Sequence, residues 1–144
     1  MKNAIIYVDD DPDQLFLYKT VSHHCKLPYP VETVTTGKAL FALLDGLALP
    51  PIVIFLDIFL PEQDGFQILA AIRSSPRYQH IPVIMLSVAE DSGTVERAYL
   101  AGANAYLVKP SNGAEAMITM MQQIRAYWLT YNLSINQLES WTYW

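Results

Sequence analysis

Ile52-Val53-Ile54-Phe55-Leu56-Asp57 is the stretch that decides the fold: five consecutive apolar residues ending on a carboxylate. A run this short and this uniformly apolar fits a strand buried on both faces, the habit of central strands in parallel sheets. Three other runs are built the same way. Ile5-Ile6-Tyr7-Val8 leads into Asp9-Asp10, Val83-Ile84-Met85-Leu86 into Ser87, and Ala105-Tyr106-Leu107-Val108 into Lys109. In an open parallel sheet, ligands gather outside the carboxyl ends of the strands, where the strand order reverses. Three carboxylates, a hydroxyl and an ammonium would meet there. That set suits a divalent cation and a phosphoryl group.

Between the apolar runs the periodicity changes to that of helices. Asp11-Pro12-Asp13-Gln14 is a helix start, with Asp11 as cap, Pro12 at the first helical position and Gln14 placed to close a capping box. That helix reaches about His24, with Leu15, Tyr18 and Val21 in register, and Leu27-Pro28-Tyr29-Pro30 breaks it. Residues 31–35 form a more polar strand, suited to a sheet edge. Thr36 to Leu47 is helical, then Ile52–Leu56 forms the central strand. Asp64-Gly65 opens a helix to about Ser75, Ile81–Leu86 is a strand, Asp91–Ala101 a helix, and Ala105–Val108 a strand. A last helix runs from near Asn112 to about Tyr131, its Met117, Met120, Met121, Ile124 and Trp128 at helical spacing. Alternation of this kind predicts an α/β fold of right-handed βαβ units in a doubly wound, five-stranded parallel sheet.

Composition narrows the function. The 144 residues suffice for one domain with a full core, and 52% are hydrophobic. Nine basic residues stand against fourteen acidic ones, a net charge of −5 with no basic cluster, so nucleic acid is not an expected partner. The single Cys25 fits a reducing compartment. Neither a signal-peptide pattern nor a bilayer-length apolar run is present, so a cytoplasmic protein without a membrane partner is expected. His23, His24 and His80 show no metal-ligand spacing.

Four motifs in register resemble the receiver domain of two-component response regulators: Val8-Asp9-Asp10-Asp11; Leu56-Asp57 with Leu60-Pro61 and Asp64-Gly65; Met85-Leu86-Ser87; and Ala103-Asn104-Ala105-Tyr106-Leu107-Val108-Lys109-Pro110. The resemblance runs from residue 3 to about residue 130. It implies a flavodoxin-like three-layer sandwich with strand order 2-1-3-4-5 and a sensor histidine kinase as phosphoryl donor. Asp57 is then the phosphoacceptor nucleophile, forming a mixed anhydride. An attacking carboxylate repels phosphate, so a hard cation is needed, and an oxygen-rich acidic site suits Mg²⁺, with Mn²⁺ as a substitute. Asp10, Asp57 and the backbone carbonyl of Phe59 are the expected ligands, with Asp9 acting mostly through a metal-bound water. Lys109 is expected to hold a phosphoryl oxygen. Ser87 and Tyr106 form the expected switch: Ser87 binds the arriving phosphoryl group and Tyr106 moves into the space left behind. The resemblance also implies a cis Lys109–Pro110 bond.

Two positions depart from the family pattern. Val88 replaces a small residue beside Ser87 and can crowd the phosphoryl entry, while Phe59 is large, apolar and placed to shield the anhydride from water. Residues 1–131 are expected to form the receiver. Residues 132–144 form an aromatic C-terminal extension, too short for an output domain, which packs on its own domain or supports a homodimer through the last helix. Tyr127-Trp128-Leu129 resembles single-domain receivers paired with phytochrome-type histidine kinases.

The expected output is binding of a downstream protein by the face of the fourth helix, fifth strand and fifth helix, with the kinase docking on the first helix and site loops. Other readings are a phosphorelay intermediate serving a phosphotransfer protein and a binding module that needs no phosphorylation. A haloacid-dehalogenase-type hydrolase wants a carboxylate where Phe59 stands. A flavin carrier wants hydroxyls where the acids follow the first strand. A turnover enzyme acting on an external substrate is therefore not expected.

Overall fold

The computed structural model describes residues 3–111 and 113–130. Five strands alternate with five helices: β1 (Ile5–Val8), α1 (Pro12–His24), β2 (Val31–Val34), α2 (Gly37–Gly46), β3 (Val53–Leu56), α3 (Gly65–Ser74), β4 (Val83–Ser87), α4 (Ser92–Leu100), β5 (Ala105–Val108) and α5 (Ala114–Tyr127). All pairings are parallel and the order is β2-β1-β3-β4-β5, as expected. The order reverses between β1 and β3, which opens a crevice at their carboxyl ends.

Alternate residues of the central strands feed two separate cores. Ile6, Val8, Ile54, Leu56, Val83 and Met85 face α2, α3 and α4, where they meet Leu40, Leu44, Ile68, Leu69, Ile72 and Ala98. Ile5, Tyr7, Val53, Phe55, Ile84 and Leu86 face α1 and α5, meeting Leu15, Tyr18, Val21, Met117, Met121 and Ile124. Every residue of β1, β3 and β4 is buried, which is why these strands lack a polar face. β2 and β5 are the half-exposed edges.

Local chemistry accounts for the boundaries. Asp64 closes a reciprocal capping box with Gln67 at the start of α3. Asp11 caps α1 through the Asp13 amide at 2.9 Å. The structure therefore engages Asp13 rather than Gln14, whose side chain lines the acidic cleft instead. β4 begins at Val83 and not Ile81, because Pro82 has no N–H to give the ladder. α5 starts after Gly113, whose φ of 80° takes the chain out of the preceding loop, and it ends at Tyr127. The Lys109–Pro110 bond is not cis: all described peptide bonds are trans, the lower-energy isomer even before proline. Asn112 and the extension after Thr130, with its predicted packing or dimer role, lie outside the described residues. Among the described residues no helix is long and apolar enough to cross a membrane.

Arg73, at the end of α3, ties the amino ends of two strands together. Its guanidinium donates to the carbonyls of Gly102 at 2.9 Å, Gln79 at 3.0 Å and Ile81 at 2.7 Å, and to Asn104 Oδ1 at 2.9 Å. Asn104 Oδ1 also accepts the Val83 amide at 2.8 Å. One planar fork thus satisfies the loops that lead into β4 and β5.

Candidate functional site

β1 delivers Asp9 and Asp10, β3 delivers Asp57, β4 ends on Ser87, and β5 delivers Lys109. Hydrogen bonds continue the sheet past its last strand residues: the Asp9 amide donates to Val34 O, the Asp57 amide to Val8 O and the Lys109 amide to Ser87 O. This register brings the four carboxyl ends to one level. Asp9, Asp57 and Ser87 are buried, whereas Asp10 is exposed. Carboxylate oxygens of Asp9, Asp10 and Asp57 all lie within 4.8 Å of one another.

Lys109 Nζ lies 2.9 Å from Asp9 Oδ2 and 3.4 Å from Asp57 Oδ2, so one ammonium faces two buried acids. The Phe59 amide donates to Asp57 Oδ1 at 3.4 Å. Burial lifts the Asp57 carboxyl above its usual range even though Lys109 pulls the other way. Three acids against one ammonium leave negative charge in excess. Their oxygen-only donor set, with one acid open to water, fits a hard divalent cation.

Asp9 is the most constrained of the acids. Its Oδ1 accepts the Asp11 amide at 3.0 Å, and its Oδ2 accepts both Lys109 and the hydroxyl of Tyr18, the latter at 3.2 Å. Burial and the neighbouring carboxylate push the Tyr18 phenol well above its ordinary pKa, so it stays a donor. Sequence patterning assigns Tyr18 only to the buried stripe of α1; no spacing rule announces that its hydroxyl reaches the site.

A cleft of about 350 Å³ opens over these groups, with Phe59, Val88 and Pro110 among its lining residues. Val88 stands at its rim with 66% of its surface open, and Phe59 is likewise exposed. Phe59 also borders a second groove shared with Leu60, Pro61, Phe66 and Arg97, so it divides the two. Beneath them, the Gly65 amide donates to Ile58 O at 2.8 Å. A Cβ on Gly65 would collide with Asp57 O and come within 2.8 Å of Ile58 Cα. Asp64-Gly65 is legible as a helix opening; that its glycine also lets α3 sit against the Asp57 backbone is not.

Ser87 Oγ accepts the Ala89 amide at 3.3 Å, and Tyr106, half-buried on β5, donates its hydroxyl to Ala89 O at 2.6 Å. The two proposed switch residues therefore meet at one loop residue. In this arrangement the Tyr106 ring already packs against the core on the α4 side.

An acid-lined crevice at the switch point of a 2-1-3-4-5 parallel sheet, with a lysine from the last strand, is the build of a phosphorylatable signalling module. The chain belongs to the response regulator receiver domain family, whose sequence model matches residues 5–122. Response regulator Rcp1 of Synechocystis sp. is 32% identical over 113 residues, which cover 69% of this chain and 76% of that protein. The probable methanogenesis regulatory protein FilR2 of Methanothrix harundinacea is 31% identical over 135 residues, 90% of this chain and 86% of that one. Protein RcaC of Microchaete diplosiphon is 30% identical over 128 residues, 87% of this chain but 19% of RcaC. Among solved structures, the Mn²⁺-bound form of Rcp1 superposes with a TM-score of 0.80 at 27% identity, covering 92% of this chain and 99% of that one. The phosphorylated cyanobacterial phytochrome response regulator RcpA does so with 0.83 at 27% identity, covering 94% and 99%.

Proposed function

We propose that Asp57 accepts a phosphoryl group from a phosphohistidine of a sensor kinase, and that the acidic cleft holds Mg²⁺ while it does so. The observation that carries this reading is the convergence of Asp9, Asp10 and Asp57 with Lys109 between the two buried acids. In the transfer the P–N bond to the donor imidazole breaks and a P–O bond to an Asp57 carboxylate oxygen forms. Asp10, Asp57 and the Phe59 carbonyl would ligate the cation, and Asp9 would reach it through water; when bound, the cation offsets charge on the phosphoryl oxygens. Lys109 sits where it can leave its carboxylate partners and bond a phosphoryl oxygen as charge develops. The Mn²⁺-bound relative supports the choice of a hard divalent cation.

Ser87 then donates its hydroxyl to the phosphoryl oxygen, which draws it and the Ala89 amide bonded to it toward the cleft, and Tyr106 follows the Ala89 carbonyl. The loop between β4 and α4 is the bistable element biased by this exchange. Tyr99, Leu100 and Val108 present exposed apolar side chains on α4 and β5, a surface suited to a downstream protein. The phytochrome response regulator among its structural relatives supports a phytochrome-type kinase as donor. Phe59, in place of a second carboxylate two residues past Asp57, argues against hydrolase turnover of the haloacid-dehalogenase type.

Incubation with acetyl phosphate and Mg²⁺ followed by intact mass tests the assignment. One added phosphoryl group is expected in the wild type, and none in Asp57→Asn or after chelation of the metal. Equal incorporation by wild type and Asp57→Asn would overturn it.

A further inference from the structure

Tyr18 reaches the acidic site from behind. Its ring stacks on Tyr7 at 4.9 Å and 20°, and Tyr7 stacks on Phe55 at 4.9 Å and 14°. The Tyr7 hydroxyl is itself paired with Ser22 Oγ at 2.8 Å. This column of three rings, running from α1 through β1 to β3, fixes the direction in which the Tyr18 hydroxyl points. It points at Asp9 Oδ2, the oxygen that also receives Lys109. With the Asp11 amide on Oδ1, both oxygens of Asp9 are committed to donors from the protein.

We propose that Tyr18 is a positioning residue of the cation site: its hydroxyl holds Asp9 back, so that this acid meets a divalent cation across a water molecule and leaves direct ligation to Asp10 and Asp57. The proposal rests on the reading of the cleft as a divalent-cation site. Direct ligation by Asp9 would pull its carboxylate from charge-assisted hydrogen bonds and leave a buried phenol without an acceptor. The same donors draw negative charge away from the cleft, so the site binds its cation less tightly than three free carboxylates would. With Asp9 held back, fewer protein oxygens would ligate a bound cation, and water would occupy the rest, open to exchange for a phosphoryl oxygen.

Tyr18→Phe keeps the stacked ring and removes only the hydroxyl. Titration calorimetry of the full chain with Mg²⁺ at neutral pH should show tighter binding in Tyr18→Phe, by roughly 3- to 10-fold, opposite in sign to the weakening that follows when a direct ligand loses its hydrogen-bond partner. In an Asp9→Asn background the same substitution should leave the Mg²⁺ constant unchanged, because Tyr18 acts through Asp9. Equal or weaker binding by Tyr18→Phe overturns the proposal, as does an equal change with and without Asp9. So does a variant that only melts lower, since packing alone would do that. Failure of the wild type to bind Mg²⁺ removes the cation-site reading itself, whereas identical constants for wild type and Tyr18→Phe remove only the role of Tyr18.

Discussion

The hydroxyl of Tyr106 donates to the carbonyl of Ala89 at 2.6 Å, joining the edge strand β5 to the loop two residues past Ser87. Ala89 is thereby gripped at both backbone groups, since its amide donates to Ser87 Oγ. Tyr106→Phe removes one grip and leaves the ring in place. Loss of about 0.5–1.5 kcal/mol in urea unfolding is expected, the net worth of one hydrogen bond. Amide exchange at Ala89 should quicken as well; unchanged exchange there would show that the loop is held by other contacts.

Phe59 lines the acidic cleft together with Asp57, and a shielding role for its ring is the expectation to test. Phe59→Asn replaces that ring with a side chain able to orient water. Loss of phosphate from Asp57, followed by intact mass after removing the donor, is expected to be several-fold faster than in the wild type. Matching decay curves would refute shielding by this residue.

The buried Asp57 carboxyl gives a pH dependence of definite sign. Because its folded pKa is raised above the ordinary 3.8, the native state keeps a proton that the unfolded chain has already released. Its stabilising contribution is present below that ordinary value and is lost as pH rises through the folded one. Metal-free Asp57→Asn should therefore melt above the metal-free wild type at neutral pH, with the gap closing as pH falls towards 4. Added Mg²⁺ should narrow the gap at neutral pH, since it stabilises the protein that still has its full set of ligands. A wild type that melts higher than Asp57→Asn without metal would contradict this.

Gly65→Ala places a methyl group against the Asp57 carbonyl and the Ile58 Cα. Forcing an extra methyl group into a packed interior costs about 1–3 kcal/mol. The strain falls on the segment that aims the Asp57 side chain, so phosphoryl uptake should slow along with the loss of stability in denaturant. An alanine variant with wild-type stability and uptake would mean that α3 shifts without disturbing Asp57.

The fold was legible because its strands are buried on both faces and its helices are punctuated by Asp11-Pro12, Thr36-Gly37 and Asp64-Gly65. Positions at the strand ends follow from that layout, so Asp9, Asp57, Ser87 and Lys109 arrive together as their spacing implied. Legibility stopped where contacts are made across the fold. Nothing in the run Leu15-Phe16-Leu17-Tyr18 separates a core tyrosine from one whose hydroxyl reaches Asp9. Gln14 satisfies a sequence rule for capping, yet the chain turns early enough for Asp11 to bond Asp13 instead. Arg73 reads as an ordinary basic residue near a helix end, and its acceptors come from two separate loops, those before β4 and β5.

That arginine sits at the opposite end of β4 and β5 from the chemistry. With their feet clamped to α3, these two strands cannot slide as a pair when something pulls at Ser87. If phosphorylation at Asp57 draws on Ser87, the motion would be small at Val83, whose amide is held by Asn104, and larger beyond Ser87. On the proposed reading, α4, which joins the free end of β4 to the clamped start of β5, would tilt with that swing.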